Sequence, residues 1–381
     1  MTVQTGFELF KLKMNGQASV SEGYMLATNH TAIDHDLNHV AEFMARRMGD
    51  KFRGIIAPEH GIHGAVKEGE AISDSVDPNT GVPVYSWYDK IPRIKDDWLE
   101  KVDTVVYDIQ DGGVRFHTHL SMFKSIMKAC SRRGIKLLVL DRPNPINGVS
   151  VQGNIPKEFS LVCAWRIPVR YGLTIGEFGS LLLEQSSIKC EFEVVKMSGW
   201  KREMWFDQTG LPWVPLSPNT PTLQTSTVYP GTCLFEGTAL SVGRGTTKPF
   251  ETIGSPWLSS REVRLAFNSK AVPGVKCRET SFVPWYSRFK EQLCKGIELH
   301  VTDRTLFDPL LAALILLQTI LKIHGEQMVF NNMETWFDKL TGDASLRRAV
   351  VQGEDPSVIV SGWNDAIDKF RADTAQLLLY N

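Results

Sequence analysis

Val102-Asp-Thr-Val-Val-Tyr-Asp-Ile-Gln-Asp-Gly-Gly-Val114 is a β-branched run that breaks off into polar and glycine residues. A helical pattern follows from about Leu120 to Arg133, and Lys136-Leu-Leu-Val-Leu140 is a second apolar run, bounded by Gly134 and Pro143. Strand, helix and strand, with no strict apolar–polar alternation, indicate a parallel sheet covered on both faces. Outward from this unit the pattern repeats. Gly23-Tyr-Met-Leu-Ala-Thr28 and Phe52-Arg-Gly-Ile-Ile-Ala57 read as strands, with a helix around Leu37–Met48 between them and a further strand at Val82–Trp87. Thr174-Ile-Gly-Glu177 fits a capping box that opens a helix through Leu183, and Glu191–Met197 reads as another strand. The expected fold is a doubly wound α/β domain.

From Trp205 to Trp257 the periodicity disappears. Pro212, Pro215, Pro218, Pro221, Pro230, Pro249 and Pro256 fall in this window, together with Gly231, Gly237, Gly243 and Gly245. A stretch this long without pattern is usually functional or a crossover between domains. Beyond it, Val275–Trp285 and Gly296–Thr302 look like strands of a small sheet. Asp308-Pro309 caps and starts a helix that Lys322, His324 and Gly325 close, and helices near Asn332–Lys339 and Asp365–Leu379 finish the chain. Two domains are expected: residues 1–257, including the Pro/Gly-rich region 205–257, and a smaller α+β domain over residues 258–381.

The length of 381 residues is consistent with two domains, each able to bury a core without staples. Lys+Arg (42) balance Asp+Glu (43), and no basic run stands out, which argues against a nucleic-acid partner. A charged fraction of 22% with 10% aromatics excludes disorder. The six cysteines (Cys130, Cys163, Cys190, Cys233, Cys277 and Cys294) include no C-x-x-C pair and read as small buried hydrophobes in a reducing compartment. Residues 1–8 lack the basic-then-apolar order of a secretory leader. The best apolar run, Leu310–Leu317, is about half the ~20 residues of a membrane span. As written, the chain is expected to be soluble and cytoplasmic; a trimmed periplasmic or secreted protein would look the same.

In open α/β sheets ligands bind beyond the carboxyl ends of the strands. Four such ends carry polar residues: Thr28-Asn29-His30, Pro58-Glu59-His60-Gly61-Ile62-His63, Asp108-Ile-Gln110-Asp111-Gly-Gly-Val-Arg115 and Asp141-Arg142-Pro-Asn144. No G-x-G-x-x-G follows a strand and no Walker A motif occurs, so neither a dinucleotide nor an NTP is expected as cofactor. His60 and His63 with Asp108 or Asp111 form a candidate irregular metal site; the alternative is that they structure their loop. The stronger reading uses carboxylates. Glycosidic hydrolysis needs an acid for the leaving oxygen and usually a second group opposite. Glu59, on a Gly-bounded turn beside the buried sheet, is the candidate acid. Asp108 or Asp111 is a candidate second carboxylate, although an Asp bonded to the Gly112-Gly113 turn fits as well. Asp141 reads as a turn former and Glu177 as the N3 residue of its capping box. Arg115, Arg142, Arg170 and Arg244 lie in loops near these acids, where a guanidinium suits a carboxylate or phosphate ligand or pairs with a neighbouring Asp. Trp205, Trp213, Tyr229, Phe235 and Trp257 are candidates to stack on a sugar ring or to fill a core.

A series of motifs in fixed order sharpens this reading: Thr28-Asn-His-Thr31, Ala57-Pro-Glu-His-Gly-Ile62, Asp108-Ile-Gln-Asp111, Asp141-Arg-Pro-Asn-Pro145 and Pro168-Val-Arg-Tyr-Gly-Leu-Thr-Ile-Gly-Glu177. Ser217-Pro-Asn219, Tyr229-Pro-Gly-Thr-Cys-Leu-Phe-Glu236 and Gly243-Arg-Gly-Thr-Thr-Lys-Pro-Phe-Glu251 follow. The series resembles the bacterial NamZ-type exo-β-N-acetylmuramidases over nearly the whole chain. That resemblance implies a Rossmann-like domain, a C-terminal α+β domain and a cleft between them. It also implies cofactor-free removal of β-1,4-linked N-acetylmuramic acid (MurNAc) from the non-reducing end of peptidoglycan fragments. Carried over, Glu59 is the catalytic carboxylate, with Asp111 and Glu236 as candidate partners unless the substrate's 2-acetamido group takes that part. Arg115, Arg142, Arg170 and Arg244 become candidates for the MurNAc lactyl carboxylate, and Asn29, His60, Asp108, Gln110, Asn144 and Asn219 further candidate substrate contacts. The chain departs from the family pattern at His63, His117, His119 and Thr220. The competing readings are a metal-dependent hydrolase using His60, His63 and an Asp, and a muropeptide-binding module without catalysis.

Overall fold

A computed structural model describes residues 2–15, 21–89 and 91–381. The chain opens with α1 (Gly6–Asn15), β1 (Tyr24–Thr28), α2 (Val40–Met48), β2 (Phe52–Ala57), β3 (Ser75–Val76) and β4 (Pro83–Ser86). It continues through β5 (Thr104–Asp108), α3 (His119–Arg133), β6 (Lys136–Leu140), α4 (Ile175–Gln185) and β7 (Phe192–Val195). Among the described residues these strands form one seven-stranded sheet in the order β3-β4-β2-β1-β5-β6-β7, parallel except for the β3–β4 pair.

The expected parallel sheet is present, and side-chain alternation shows why its strands look uniformly apolar. Met25, Ala27, Val105, Tyr107, Leu137 and Val139 face one core, built with Phe123 of α3 and Phe178 of α4. Leu26, Ile55, Ala57, Val106, Leu138 and Leu140 face the other, built with Phe7 of α1 and Met44 of α2. Both faces are covered, so both sets must be hydrophobic. The Thr174 hydroxyl accepts from the Glu177 N–H while the Glu177 carboxylate accepts from the Thr174 N–H, the expected reciprocal cap of α4.

The window from Trp205 to Trp257 holds more structure than its composition suggests. It contains α5 (Leu223–Thr232), a short 3₁₀ turn over Cys233–Gly237 and β8 (Thr252–Ser255). Then come α6 (Ser260–Ser269), β9 (Val275–Phe282), β10 (Cys294–Val301), α7 (Pro309–His324), α8 (Glu326–Phe330) and α9 (Glu334–Thr341). The last helices are α10 (Ala344–Val351), α11 (Pro356–Ser361) and α12 (Asn364–Thr374). β10 pairs antiparallel with β8 and β9 on either side. The Asp308 carboxylate accepts from the N–H groups of Leu310 and Leu311 and so caps α7, as its sequence implies.

The C-terminal core gathers Leu310, Leu314 and Leu317 of α7, Phe267 of α6, Ile253 of β8 and Val228 of α5. It thus reaches back to α5, ahead of residue 258 where the sequence suggested a boundary. Val114, Phe116, Val169 and Trp205 from the large sheet's loops pack into the same core. Gly231 permits the α5–α7 approach: a Cβ there would lie 1.9 Å from the Pro309 carbonyl oxygen. The six cysteines are unpaired, all buried except the half-buried Cys190.

Candidate active site

β1 sits mid-sheet with β2 on one side and β5 on the other, so the chain leaves it in both directions and opens a crevice at the carboxyl ends. A cavity of about 550 Å³ lies over this rim. Its near wall carries Glu59 and His60 from the end of β2, Glu68 from the following loop, Tyr88 from the end of β4, and Phe116–His119 from the end of β5. Asn219, Tyr229, Glu236, Arg244 and Phe250 supply the middle, and Trp336 and Lys339 of α9 the far wall. Such a volume suits a sugar residue or two. A larger hollow of about 1100 Å³ lies among α6, α7 and α10, away from the strand ends.

The turn after β2 aims Glu59. Gly61 N–H donates to the Pro58 carbonyl (3.0 Å), while His60 and Gly61 both take left-handed backbone (φ 73° and 76°). That conformation is natural for glycine and tolerated by histidine better than by most residues. Glu59 Oε2 accepts from the Thr118 hydroxyl (3.0 Å) and Oε1 from the Gly69 N–H (3.0 Å). Tyr88 is hydrogen-bonded to the same carboxylate; burial, and then the charge and hydrogen bond of Glu59, push its hydroxyl up to about 12. Tyr88 therefore stays a donor at neutral pH.

Across the cavity, Arg244 Nε donates to Glu236 Oε1 (2.7 Å) and Nη1 stands 3.5 Å from Glu68 Oε2. Burial works against its charge, but Glu236 and Glu68 outweigh that and raise its pKa. Asn219 Nδ2 donates to Glu68 Oε2 (3.3 Å), and Tyr286 Oη donates to Asn219 Oδ1 (2.8 Å). His117 lies tilted against Tyr229 (ring centroids 5.1 Å apart), and burial lowers its pKa to about 4, with His60 adding to the effect. Burial lowers the pKa of His119 well below the usual histidine value, and its Nδ1 is buried without a partner.

Of the residues expected from sequence, the cavity brings together Glu59, His60, Asn219, Tyr229, Glu236 and Arg244. The others are absorbed by structure. Asp111 is buried; its Oδ2 accepts from the Gly113 N–H (2.7 Å) and from the Tyr171 hydroxyl, and burial raises its pKa. It is the turn-bonding Asp, not a carboxylate of the cleft. Asp108 is spent on a buried two-point pair with Arg142, whose Nη2 lies 3.1 Å from Oδ2. Arg115 is fully buried, donating to Thr341 O (2.7 Å), Ile167 O (3.3 Å), Asn154 Oδ1 (3.0 Å) and Asn154 O. Arg170 donates to Gln152 Oε1 (3.0 Å) and Ile146 O over the Trp205 ring; burial brings its pKa down to about 9. Gln110 Nε2 donates to the carbonyls of Asp111 and Pro143, Asn144 Nδ2 to that of Leu173, and Asn29 Oδ1 accepts from Thr31. Three of the four arginines thus hold loops together and one faces the cavity.

The histidine pair does not converge on a metal. His60 turns Nδ1 to the Val66 carbonyl (2.7 Å), and His63 Nε2 stands 3.6 Å from Asp77. Among the described residues no three His, Cys, Asp or Glu side chains are grouped as a metal site. Nor, among them, is any helix long and apolar enough to cross a membrane. Tyr88, Thr118 and Glu68 were not among the expected residues. Tyr88 follows a strand that the sequence did reveal, so searching that strand end as well would have found it.

The family model described as exo-β-N-acetylmuramidase NamZ, N-terminal, matches residues 25–224, and the corresponding C-terminal model matches residues 227–380. The chain is similar to the peptidoglycan β-N-acetylmuramidase NamZ of Bacillus subtilis (strain 168), with 37% identity covering 99% of this chain and 91% of the relative. It is also similar to two crystal structures of DUF1343 family proteins from Bacteroides fragilis NCTC 9343. One has a TM-score of 0.91 at 29% identity, the other 0.80 at 25%; each comparison covers 100% of this chain and 99% of the other.

Proposed function

The chain belongs to the NamZ family of exo-β-N-acetylmuramidases, and from that premise we propose that it hydrolyses terminal β-linked MurNAc from peptidoglycan fragments with Glu59 as the proton donor. The observation that carries the reading is a strand-end carboxylate and a guanidinium lining one cavity, Glu59 on the near wall and Arg244 in the middle. MurNAc differs from N-acetylglucosamine (GlcNAc) by a lactyl ether bearing a carboxylate, and a guanidinium is the side chain suited to receive it. Arg244 takes that part. Arg115, Arg142 and Arg170 are buried and turn their terminal nitrogens to protein acceptors instead of the cavity.

Protonating the leaving oxygen lets the glycosidic bond break while positive charge develops at the anomeric carbon. Thr118 and Tyr88 fix the Glu59 carboxyl for that transfer. Glu236, held by Arg244 in the same cavity, supplies negative charge toward the developing oxocarbenium ion. Trp336, the exposed aromatic of the far wall, gives the apolar surface on which a sugar ring lies.

The test is Glu59→Gln assayed on a MurNAc-β-1,4-GlcNAc disaccharide and on 4-nitrophenyl β-MurNAc. Loss of a general acid should lower kcat about 10²–10⁴-fold on the disaccharide. The nitrophenyl glycoside, whose leaving group needs little protonation, should lose much less. Equal turnover of the disaccharide by variant and wild type would remove Glu59 from the mechanism.

A further inference from the structure

Glu68 lies in the loop joining β2 to β3, nine residues after Glu59, and its carboxylate reaches across the cavity to the cation just assigned to the substrate. Its Oε2 is 3.5 Å from Arg244 Nη1 and accepts from Asn219 Nδ2 at 3.3 Å. Both contacts are long, and the side chain is only partly buried. The tighter bond of Arg244, to Glu236, uses a different nitrogen. The neighbouring residue, Gly69, donates its N–H to Glu59 Oε1 at 3.0 Å. One short stretch of loop therefore touches the anion subsite with a side chain and the proposed acid with the next peptide. Within the loop, His60 Nδ1 meets Val66 O, Val66 N–H donates to His60 O, Gly61 N–H to Pro58 O and Gly64 N–H to Gly61 O, while beyond Val66, among the described residues, only the backbone bond Glu70 N–H to Lys67 O is added. Lys67 also sits 5.8 Å over the Tyr286 ring.

We infer that Glu68 is a built-in stand-in for the substrate's carboxylate, displaced from Arg244 and Asn219 when a MurNAc lactyl group arrives. Glu236 already holds the Nε edge of Arg244, and an incoming carboxylate at the Nη1 side would stand against Glu68 as a like charge a few ångströms away, so the weakly held Glu68 gives way. Moving Glu68 carries Gly69 with it and withdraws the N–H from Glu59 Oε1. A carboxyl that must hand over a proton works best with one oxygen clear of a donor, so the exchange readies the acid. Glu68 is then a specificity-determining residue. A sugar with the lactyl carboxylate takes the cation and clears Glu59, whereas one without it leaves the loop in place.

The inference rests on the muramidase reading, and the experiment separates the two. Wild type and Glu68→Gln are compared on two disaccharides whose leaving groups need protonation, MurNAc-β-1,4-GlcNAc and GlcNAc-β-1,4-GlcNAc, with Glu59→Gln on the MurNAc disaccharide as the control for the reading itself. For the MurNAc substrate, Glu68→Gln removes a competitor, so KM falls about three- to fivefold with kcat unchanged. For the GlcNAc substrate, KM stays and kcat rises by about the same factor, because the loop no longer needs displacing. Calorimetric titration with free MurNAc should show the same gain in affinity, independent of turnover. An unchanged or raised KM for the MurNAc substrate, or no change in kcat for the GlcNAc substrate, would overturn the displacement model while leaving the muramidase reading intact. A wild type that turns over neither MurNAc substrate overturns both.

Discussion

Replacing Arg115 by Met keeps a long side chain in the same space and removes five N–H donors. The guanidinium is fully buried and donates to Asn154 O, Asn154 Oδ1, Ile167 O and Thr341 O. Thr341 O keeps the Asn154 Nδ2–H as a donor (2.8 Å), so the Asn154 and Ile167 carbonyls bear the loss. Leaving a buried acceptor unsatisfied costs about 1–3 kcal/mol, so two stranded carbonyls cost about 2–6 kcal/mol together. Arg115→Met should therefore lose about 2–6 kcal/mol of stability, read as a lower urea midpoint by tryptophan fluorescence and far-UV circular dichroism. Under conditions where the variant remains folded, KM for 4-nitrophenyl β-MurNAc should stay within about twofold of wild type. A variant within about 1 kcal/mol of wild type whose KM rises tenfold or more would refute the structural role. It would return Arg115 to the substrate carboxylate, where the sequence first suggested it.

Two further expectations follow from other parts of the molecule. His117 and His119 are held neutral, with pKa values lowered from 6.5 chiefly by burial. The unfolded chain binds protons that the folded one resists, so stability falls as pH drops from about 6.5 toward 4, by about 1–3 kcal/mol; urea midpoints measured across that range should fall less in His117→Gln. Gly231→Ala places a methyl group 1.9 Å from the Pro309 carbonyl oxygen, which is backbone and cannot rotate aside. Forcing α5 from α7 should cost about 1–3 kcal/mol in the same unfolding assay.

The large sheet was legible because four of its strands, β1, β2, β5 and β6, are buried on both faces and leave unbroken apolar runs. Helix α4 was legible from its cap. The same signature stands at Thr5-Gly-Phe-Glu8, where the Thr5 N–H donates to Glu8 Oε2 at 2.8 Å, yet α1 was not anticipated from sequence. Helix α5 was hidden for a different reason. Residues 225–232 are all buried, so no polar stripe sets the period, and Pro230 lies inside it. For the site, sequence could place polar groups at strand ends but not say which way they turn. A guanidinium that satisfies buried carbonyls, as at Arg115, and one that faces a ligand, as at Arg244, have the same local composition. Only chain closure over 226 residues, bringing Thr341 against Arg115, distinguishes them. Glu59 was easier because the turn that aims it is encoded locally in His60-Gly61.

Helix α9 meets the cavity through Trp336 and Lys339, and one residue later its terminal carbonyls rest on the Arg115 guanidinium. The far jaw of the cleft is thereby bolted to the β5 loop rather than hinged. Whatever accommodation a bulkier glycan demands must come from the opposite lip, residues 58–74. Diversification of this scaffold toward new muropeptides should accumulate there, and libraries confined to that lip should shift sugar preference without unseating the fold.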